Sequence, residues 1–153
     1  MKRIFAFALI IVMLAALFSF RVFNDSKRDI KSQWSNADKE KFFALYSFPL
    51  SLRSKEIYWS NALAKKVKGE REKVISAGRV DVETKTLAIE VERIEKWHEG
   101  IGQALHYGLY ENKTPALAII AVPPITEYDR NRLDAIESIC SKYGIQLIVL
   151  TPN

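Results

Sequence analysis

The 153-residue sequence has one cysteine, Cys140, so no disulfide can close within the chain and no thiol-rich metal site can be built. Its two histidines, His98 and His106, are too few for most zinc architectures, and their spacing along a helix does not let them share one ion easily. No glycine-rich phosphate loop, serine-centred nucleophile elbow or internal repeat is present. Basic excess is scarce over most of the length. The net charge is +5, but residues 1–36 hold six basic groups against two acidic ones, which leaves +1 for everything that follows. A positive balance placed beside an apolar segment belongs to membrane targeting and is weak support for nucleic-acid binding. What is present is ordinary for a folded chain: 48% apolar and 27% charged residues exclude wholesale disorder, and the length suits one domain.

After Met1, Lys2 and Arg3 comes an apolar run over residues 4–20, broken only by Ser19. Two basic residues before such a run make a signal peptide, although small residues are not clearly offered at a cleavage position. At 17 residues the same run reaches the lower limit for spanning a bilayer as an uncleaved anchor. Basic residues flank both sides, so charge does not fix an orientation. Residues 1–23 are therefore expected to be a signal or membrane anchor, and residues 24–36 a polar linker in which Trp34 alone should dock. Residues 37–153 are expected to form the domain, exported or membrane-anchored in a bacterium.

Within it, the spacing of Phe42, Phe43, Leu45 and Tyr46 predicts a short helix over 37–46, ending before Pro49. Ser54 reads as an N-cap, with Glu56 in the first turn of a helix that Gly69 ends. Three strands follow at 70–76, 79–83 and 87–92, joined by short links into an antiparallel meander. In the second, Val80 and Val82 should face one side and Asp81 the other. In the third, Glu90 and Glu92 oppose Ile89 and Val91. Residues 95–110 read as a helix with Trp97, Ile101, Ala104, Leu105 and Leu109 on its apolar face, and Gly100 and Gly102 mark a close approach. The wholly apolar run 116–122 suits a central buried strand. Residues 129–143 read as an amphipathic helix capped by Gly144, with Cys140 on its core face, and 145–150 as the last strand. The order is helix, three strands, helix, strand, helix, strand: an α/β domain whose mixed sheet is covered by helices on both faces.

The residues able to carry chemistry are Asp81, Glu90, Glu92, Lys96 and Gln103. Side chains facing across an antiparallel pair lie roughly 5 Å apart, so Asp81 and Glu90 can converge on one cation. Hard oxygen donors suit Mg²⁺, which usually takes one or two carboxylates, water and phosphate oxygens. Lys96, Gly100, Gln103 and Tyr107 share one helical face. Carboxylates, a metal ion and a lysine are what phosphodiester hydrolysis needs. On spacing alone, the three acids fit equally well a solvated sheet face paired with Lys85 or Arg93.

The stretch GRVDVETKTLAIEVERIEKWHEGIGQALHYG resembles the motif region of the PD-(D/E)xK superfamily, the fold of many restriction endonucleases and Holliday-junction resolvases. KWHEGIGQALHYGLYENKTPALAII is similar to the helix and strand that follow the motif in small bacterial members with N-terminal apolar segments. The resemblance spans residues 54–152. It implies a restriction-endonuclease-like core, with Asp81 as the motif aspartate, Glu90 as the motif acid and Glu56 as the acid of the first helix. It also implies Mg²⁺ (or Mn²⁺) held by Asp81 and Glu90, DNA as substrate, and a homodimer in many relatives. The sequence departs twice. Val80 replaces the motif proline, and Glu92, an additional candidate ligand, stands where the motif lysine belongs. Lys96, on the following helix, is the replacement that branches with a migrated lysine would use. The alternative is an inactive member that keeps the fold as a binding or scaffold domain.

Overall fold

A computed structural model describes residues 42–51, 53–76, 78–122 and 125–153. The expected signal or anchor, the linker with Trp34 and residues 37–41 lie outside them. In chain order the elements are β1 (Ala44–Phe48), α1 (Glu56–Val67), β2 (Glu70–Ile75), β3 (Gly78–Glu83), β4 (Leu87–Arg93), a 3₁₀ turn (Ile94–Lys96), α2 (Trp97–Glu111), β5 (Thr114–Ile120), α3 (Glu127–Tyr143) and β6 (Gln146–Pro152). The strands form one six-stranded mixed sheet in the order β1-β6-β5-β4-β3-β2. β4, β5, β6 and β1 run parallel, and β2, β3 and β4 form the antiparallel meander.

The apolar run of β5 lies at the middle because it can be buried on both faces. Ala116 through Ile120 are all buried. Parallel neighbours need crossovers, and α2 and α3 supply them between β4, β5 and β6. On one face Trp59, Leu63 and Ala64 of α1 pack with Ile89, Val91, Ala116, Ala118, Ile120, Ile148 and Leu150. On the other, α2 lies against β4 and β5, while α3 packs on β6 through a buried stripe of Leu133, Ile136 and Cys140. A capping box starts α3. The Asp129 N–H donates to Thr126 Oγ1 at 3.2 Å, and the Thr126 N–H donates to Asp129 Oδ2 at 3.0 Å. Gly144, at φ 68, ends that helix as expected. Among the described residues no helix is long and apolar enough to cross a membrane.

Three expectations are corrected. Residues 44–48 are a strand and not the end of a helix. Ala44 through Phe48 pair in parallel with Ile148 through Pro152, and the Phe43 N–H donates to Leu147 O at 2.8 Å. A short apolar run fits either period, and the open edge of β6 decides it. Ser54 is not an N-cap: Lys55 holds that position with no side-chain cap, and Ser54 Oγ instead accepts the Ser51 N–H at 3.1 Å. The buried stripe of α2 is Gly100, Ala104, Tyr107 and Gly108, while Leu109 is 80% exposed. Small residues turn inward because the helix lies close to the sheet. A Cβ on Gly108 would stand 2.9 Å from Pro115 Cβ and 3.0 Å from its backbone, whereas one on Gly102 would meet nothing within 4 Å.

The two positions should therefore respond with opposite sign. Gly108→Ala should lower unfolding stability by about 1–3 kcal/mol through overpacking. Gly102→Ala should raise it by about 0.5–1 kcal/mol through helix propensity. Urea denaturation of both variants decides it, and shifts of equal sign would refute the close approach of α2 at Gly108.

Candidate active site

The alternation expected of β3 fails at Asp81. Val82 packs with Trp59 and Leu63 on the α1 face, whereas Val80 packs with Ala88, Tyr107 and Ile75. Across the pair, Glu72 of β2 takes φ 51, and the β2–β3 register skips it, running Arg71↔Val82 and then Lys73↔Val80. On its other side β3 pairs with β4 only at Val82↔Ile89 and Glu83↔Ala88. Beyond that point the two strands part. The Val91 N–H donates to Asp81 Oδ2 at 3.0 Å, so a side chain replaces the missing strand partner. Local distortions of this kind re-aim a side chain beside a functional site.

The parting opens a cleft of about 470 Å³. β3 contributes Asp81, β4 contributes Glu90 and Glu92, the first turn of α1 contributes Glu56, the 3₁₀ turn Lys96, and α2 Gln103. All six residues singled out in the sequence thus line one space. The solvated-face reading of the acids is overturned. Glu90 and Glu92 are each only 6% exposed, and Arg93 pairs with Glu56 (Nε to Oε1, 3.6 Å) while donating to Ser54 O at 2.6 Å. Gly100 allows α2 to come this near, since a Cβ there would stand 3.1 Å from Glu92 Cβ.

Electrostatics separates these carboxylates from the others. Burial, then the charges of Asp81, Glu92 and Glu56, push the Glu90 carboxyl from 4.5 up to about 9. Its Oε2 is buried and has no hydrogen-bond partner among the described residues. Burial also raises Asp81, against the opposing Val91 N–H. It raises Glu92 as well, with the Arg93 N–H (2.8 Å) opposing and Glu56 adding to the rise. Glu83, two residues beyond Asp81, shows what cations change. Burial pushes its carboxyl up too, but Lys113 at 2.6 Å and Lys73 at 2.7 Å more than reverse this, and it ends below the ordinary glutamate value. A carboxylate with little solvent exposure is therefore stabilised where lysines reach it, and destabilised in the cleft where burial is deeper and its neighbours are acids.

Among the described residues no three His, Cys, Asp or Glu side chains are placed to hold a metal ion together. A cation here would draw on one or two carboxylates and take its remaining ligands from water or substrate, as Mg²⁺ usually does. Sequence reasoning did not single out Arg79, Glu72 and Glu99, which also line the cleft. Arg79, two residues before Asp81, was reachable by strand spacing. Glu72 was not, because its left-handed backbone has no sequence signal. Tyr107 completes the wall on the helical face of Gln103, its phenol raised first by burial and then by Glu90 and Asp81. His98 is exposed and stacks on Trp97 at 3.6 Å, Trp59 is core, and Cys140 is buried with its thiol pushed up to about 12.

No family model and no solved structure matches the chain. It is 33% identical over 118 residues to a KilA-N domain-containing protein of Acanthamoeba polyphaga mimivirus. The match covers 75% of this chain and 45% of that protein, so the chain spans less than half the length of this curated relative.

A carboxyl raised on folding binds its proton more tightly folded than unfolded. Glu90 therefore favours the folded state most below pH 4.5, and that contribution declines as the pH rises toward about 9. In metal-free buffer, stability should fall across this window, and Glu90→Gln should flatten the fall and stabilise the protein by more than about 1 kcal/mol at pH 8. Chemical denaturation at several pH values checks this; a Glu90→Gln variant less stable than the parent at pH 8 would contradict it.

Proposed function

We propose that the domain is a metal-dependent nuclease of the PD-(D/E)xK type that hydrolyses DNA phosphodiester bonds. The observation that carries this is the meeting of Asp81, Glu90 and Lys96 in one cleft, with a buried Glu90 oxygen that has no hydrogen-bond partner among the described residues. The order from α1 to β6, with its antiparallel meander leading into parallel strands, supports the restriction-endonuclease-like core that the sequence resemblance implies.

The donor set fits Mg²⁺ or Mn²⁺: hard oxygens, mutually repelling, one of them orphaned. Asp81 and Glu90 would hold the ion, with Glu92 and Glu56 on the same wall. When bound, such an ion polarises the phosphoryl group and lowers the pKa of a coordinated water. Lys96 stands outside the strand, where its ammonium can orient the attacking water and offset charge developing on the phosphate. Gln103 and Tyr107 present polar atoms from α2 that can position the strand without carrying charge. The apolar residues 4–20, as signal or anchor, would place this activity at or beyond a membrane.

One observation favours a second reading. Glu92 occupies the motif-lysine position and adds a negative charge where a positive one is needed, so the fold could persist as a binding or scaffold domain without turnover. Calorimetric titration with Mg²⁺ and Mn²⁺, together with cleavage assays on supercoiled and single-stranded DNA, separates the two. The nuclease reading expects metal binding that Asp81→Ala and Glu90→Ala abolish. It expects Lys96→Ala to keep metal binding while losing at least about 100-fold in cleavage rate. Folded protein that binds no metal and cleaves nothing would establish the scaffold.

A further inference from the structure

Among the described lining residues, the cleft has two cations, Lys96 on the 3₁₀ turn and Arg79 on β3, against six carboxylates. Lys96 has a role in the reading above; Arg79 has none. Among the described residues its guanidinium forms one ion pair, long at 3.6 Å (Nη1 to Glu72 Oε1), its side chain is 59% exposed, and its charge also acts on Asp81 and Glu90. Glu72 is shared: the same Oε1 receives Arg71 Nη2 at 3.2 Å. A solvated pair of this length is worth little and is easily exchanged for a better partner.

The backbone around the pair is less relaxed. Glu72 sits at φ 51 inside a strand, a left-handed conformation that is unfavourable for a side chain of this kind and persists only where surroundings enforce it. That conformation interrupts β2–β3 pairing opposite Asp81 and places Glu72 on the cleft. The backbone at Arg79 is held from the other side, since it pairs with Val74 of β2 and the Tyr107 ring lies against the neighbouring Gly78, where a Cβ would stand 3.2 Å from the ring and 3.4 Å from its hydroxyl. The main chain at Arg79 is thus anchored while its side chain stays exchangeable. A planar guanidinium fork suits the paired oxygens of a phosphate better than one shared carboxylate oxygen.

Resting on the nuclease reading, we propose that Arg79 seats a backbone phosphate of the bound DNA strand on the β3 wall of the cleft, and that Glu72 holds its guanidinium there until the strand arrives. Arg79 is a positioning group in this assignment, offered by β3 to the same cleft that Lys96 lines from the 3₁₀ turn.

The test uses the full chain, with Ca²⁺ replacing Mg²⁺ to suspend turnover, and follows a fluorescein-labelled single-stranded oligonucleotide by anisotropy over a range of salt. Arg79→Ala should weaken binding about ten-fold and lower the salt slope by about 0.7, the value for one lost phosphate contact on a single strand. Arg79→Lys should recover only part of the loss. Glu72→Gln should strengthen binding about three-fold by releasing the guanidinium. Calorimetry with Mg²⁺ should show metal affinity unchanged or tighter in Arg79→Ala, because a positive charge has left the carboxylates; misfolding would weaken both. If the parent protein binds the oligonucleotide and Arg79→Ala binds it equally well with the same salt slope, the role of Arg79 is refuted and the nuclease reading stands. If the parent binds neither metal nor oligonucleotide, both fall together.

Discussion

Where β3 leaves β4, carboxylates from both strands are withdrawn from water and held next to one another with no ion pair to Asp81, Glu90 or Glu92 among the described residues, and the charges of Arg79 and Lys96 only partly oppose the rise of their carboxyls. Asp81 borrows a backbone N–H from Val91, and Glu90 has one oxygen with no hydrogen-bond partner among the described residues. Keeping such a group ionised would cost several kcal/mol even after relaxation, and the Glu90 carboxyl, pushed up to about 9, holds a proton instead in the absence of a cation. A few residues away Glu83 demonstrates the ordinary solution, two lysines within 2.7 Å. The domain uses that solution at one end of β3 and withholds it at the other, and the architecture around the cleft follows from this difference.

The surrounding fold is what can sustain the arrangement. The central strands β5 and β6 are buried on both faces and carry no charged side chain within their paired length, so the interior is rigid and needs no polar compensation. α1 closes one face through Trp59 and Leu63 and brings Glu56 to the cleft at its first turn. α2 closes the other, and its glycines let it approach β4 and β5 until Glu92 touches Gly100. Within the sheet the distortions gather in the meander: the left-handed Glu72, the face change between Val80 and Val82, and the shortened β3–β4 pairing. A stable scaffold with local destabilisation at one edge is the usual relation between stability and a working site.

Much of this was legible in the chain. The apolar run of β5, the amphipathic α3 with its glycine cap, and the three short strands carry strong local signals that agree with the tertiary outcome. Glu90, Glu92 and Gln103 reach the cleft by the strand alternation and helical spacing that the sequence carries, whereas Asp81 reaches it through the distortion of β3. The failures have a common physical origin. Residues 44–48 became a strand because β6 had an open edge, which no local window contains. The apolar face assigned to α2 was rotated because glycine packing against the sheet outweighed the burial of Leu105 and Leu109. The break at Asp81, and with it the placement of Glu72 and Arg79, arises from a backbone distortion shared between two strands. Side-chain period predicts an ideal strand and is blind to such a defect.

The claim on which the account depends is that Glu90 is buried without an ion-pair partner among the described residues and is poised for a cation. ¹³C NMR titration of the glutamate side-chain carboxyl carbons, with Glu90 assigned through Glu90→Gln, measures this directly. The account predicts a Glu90 resonance that titrates near pH 9 without divalent metal and moves when Mg²⁺ is added. A Glu90 that titrates in the ordinary glutamate range and ignores Mg²⁺ would contradict it.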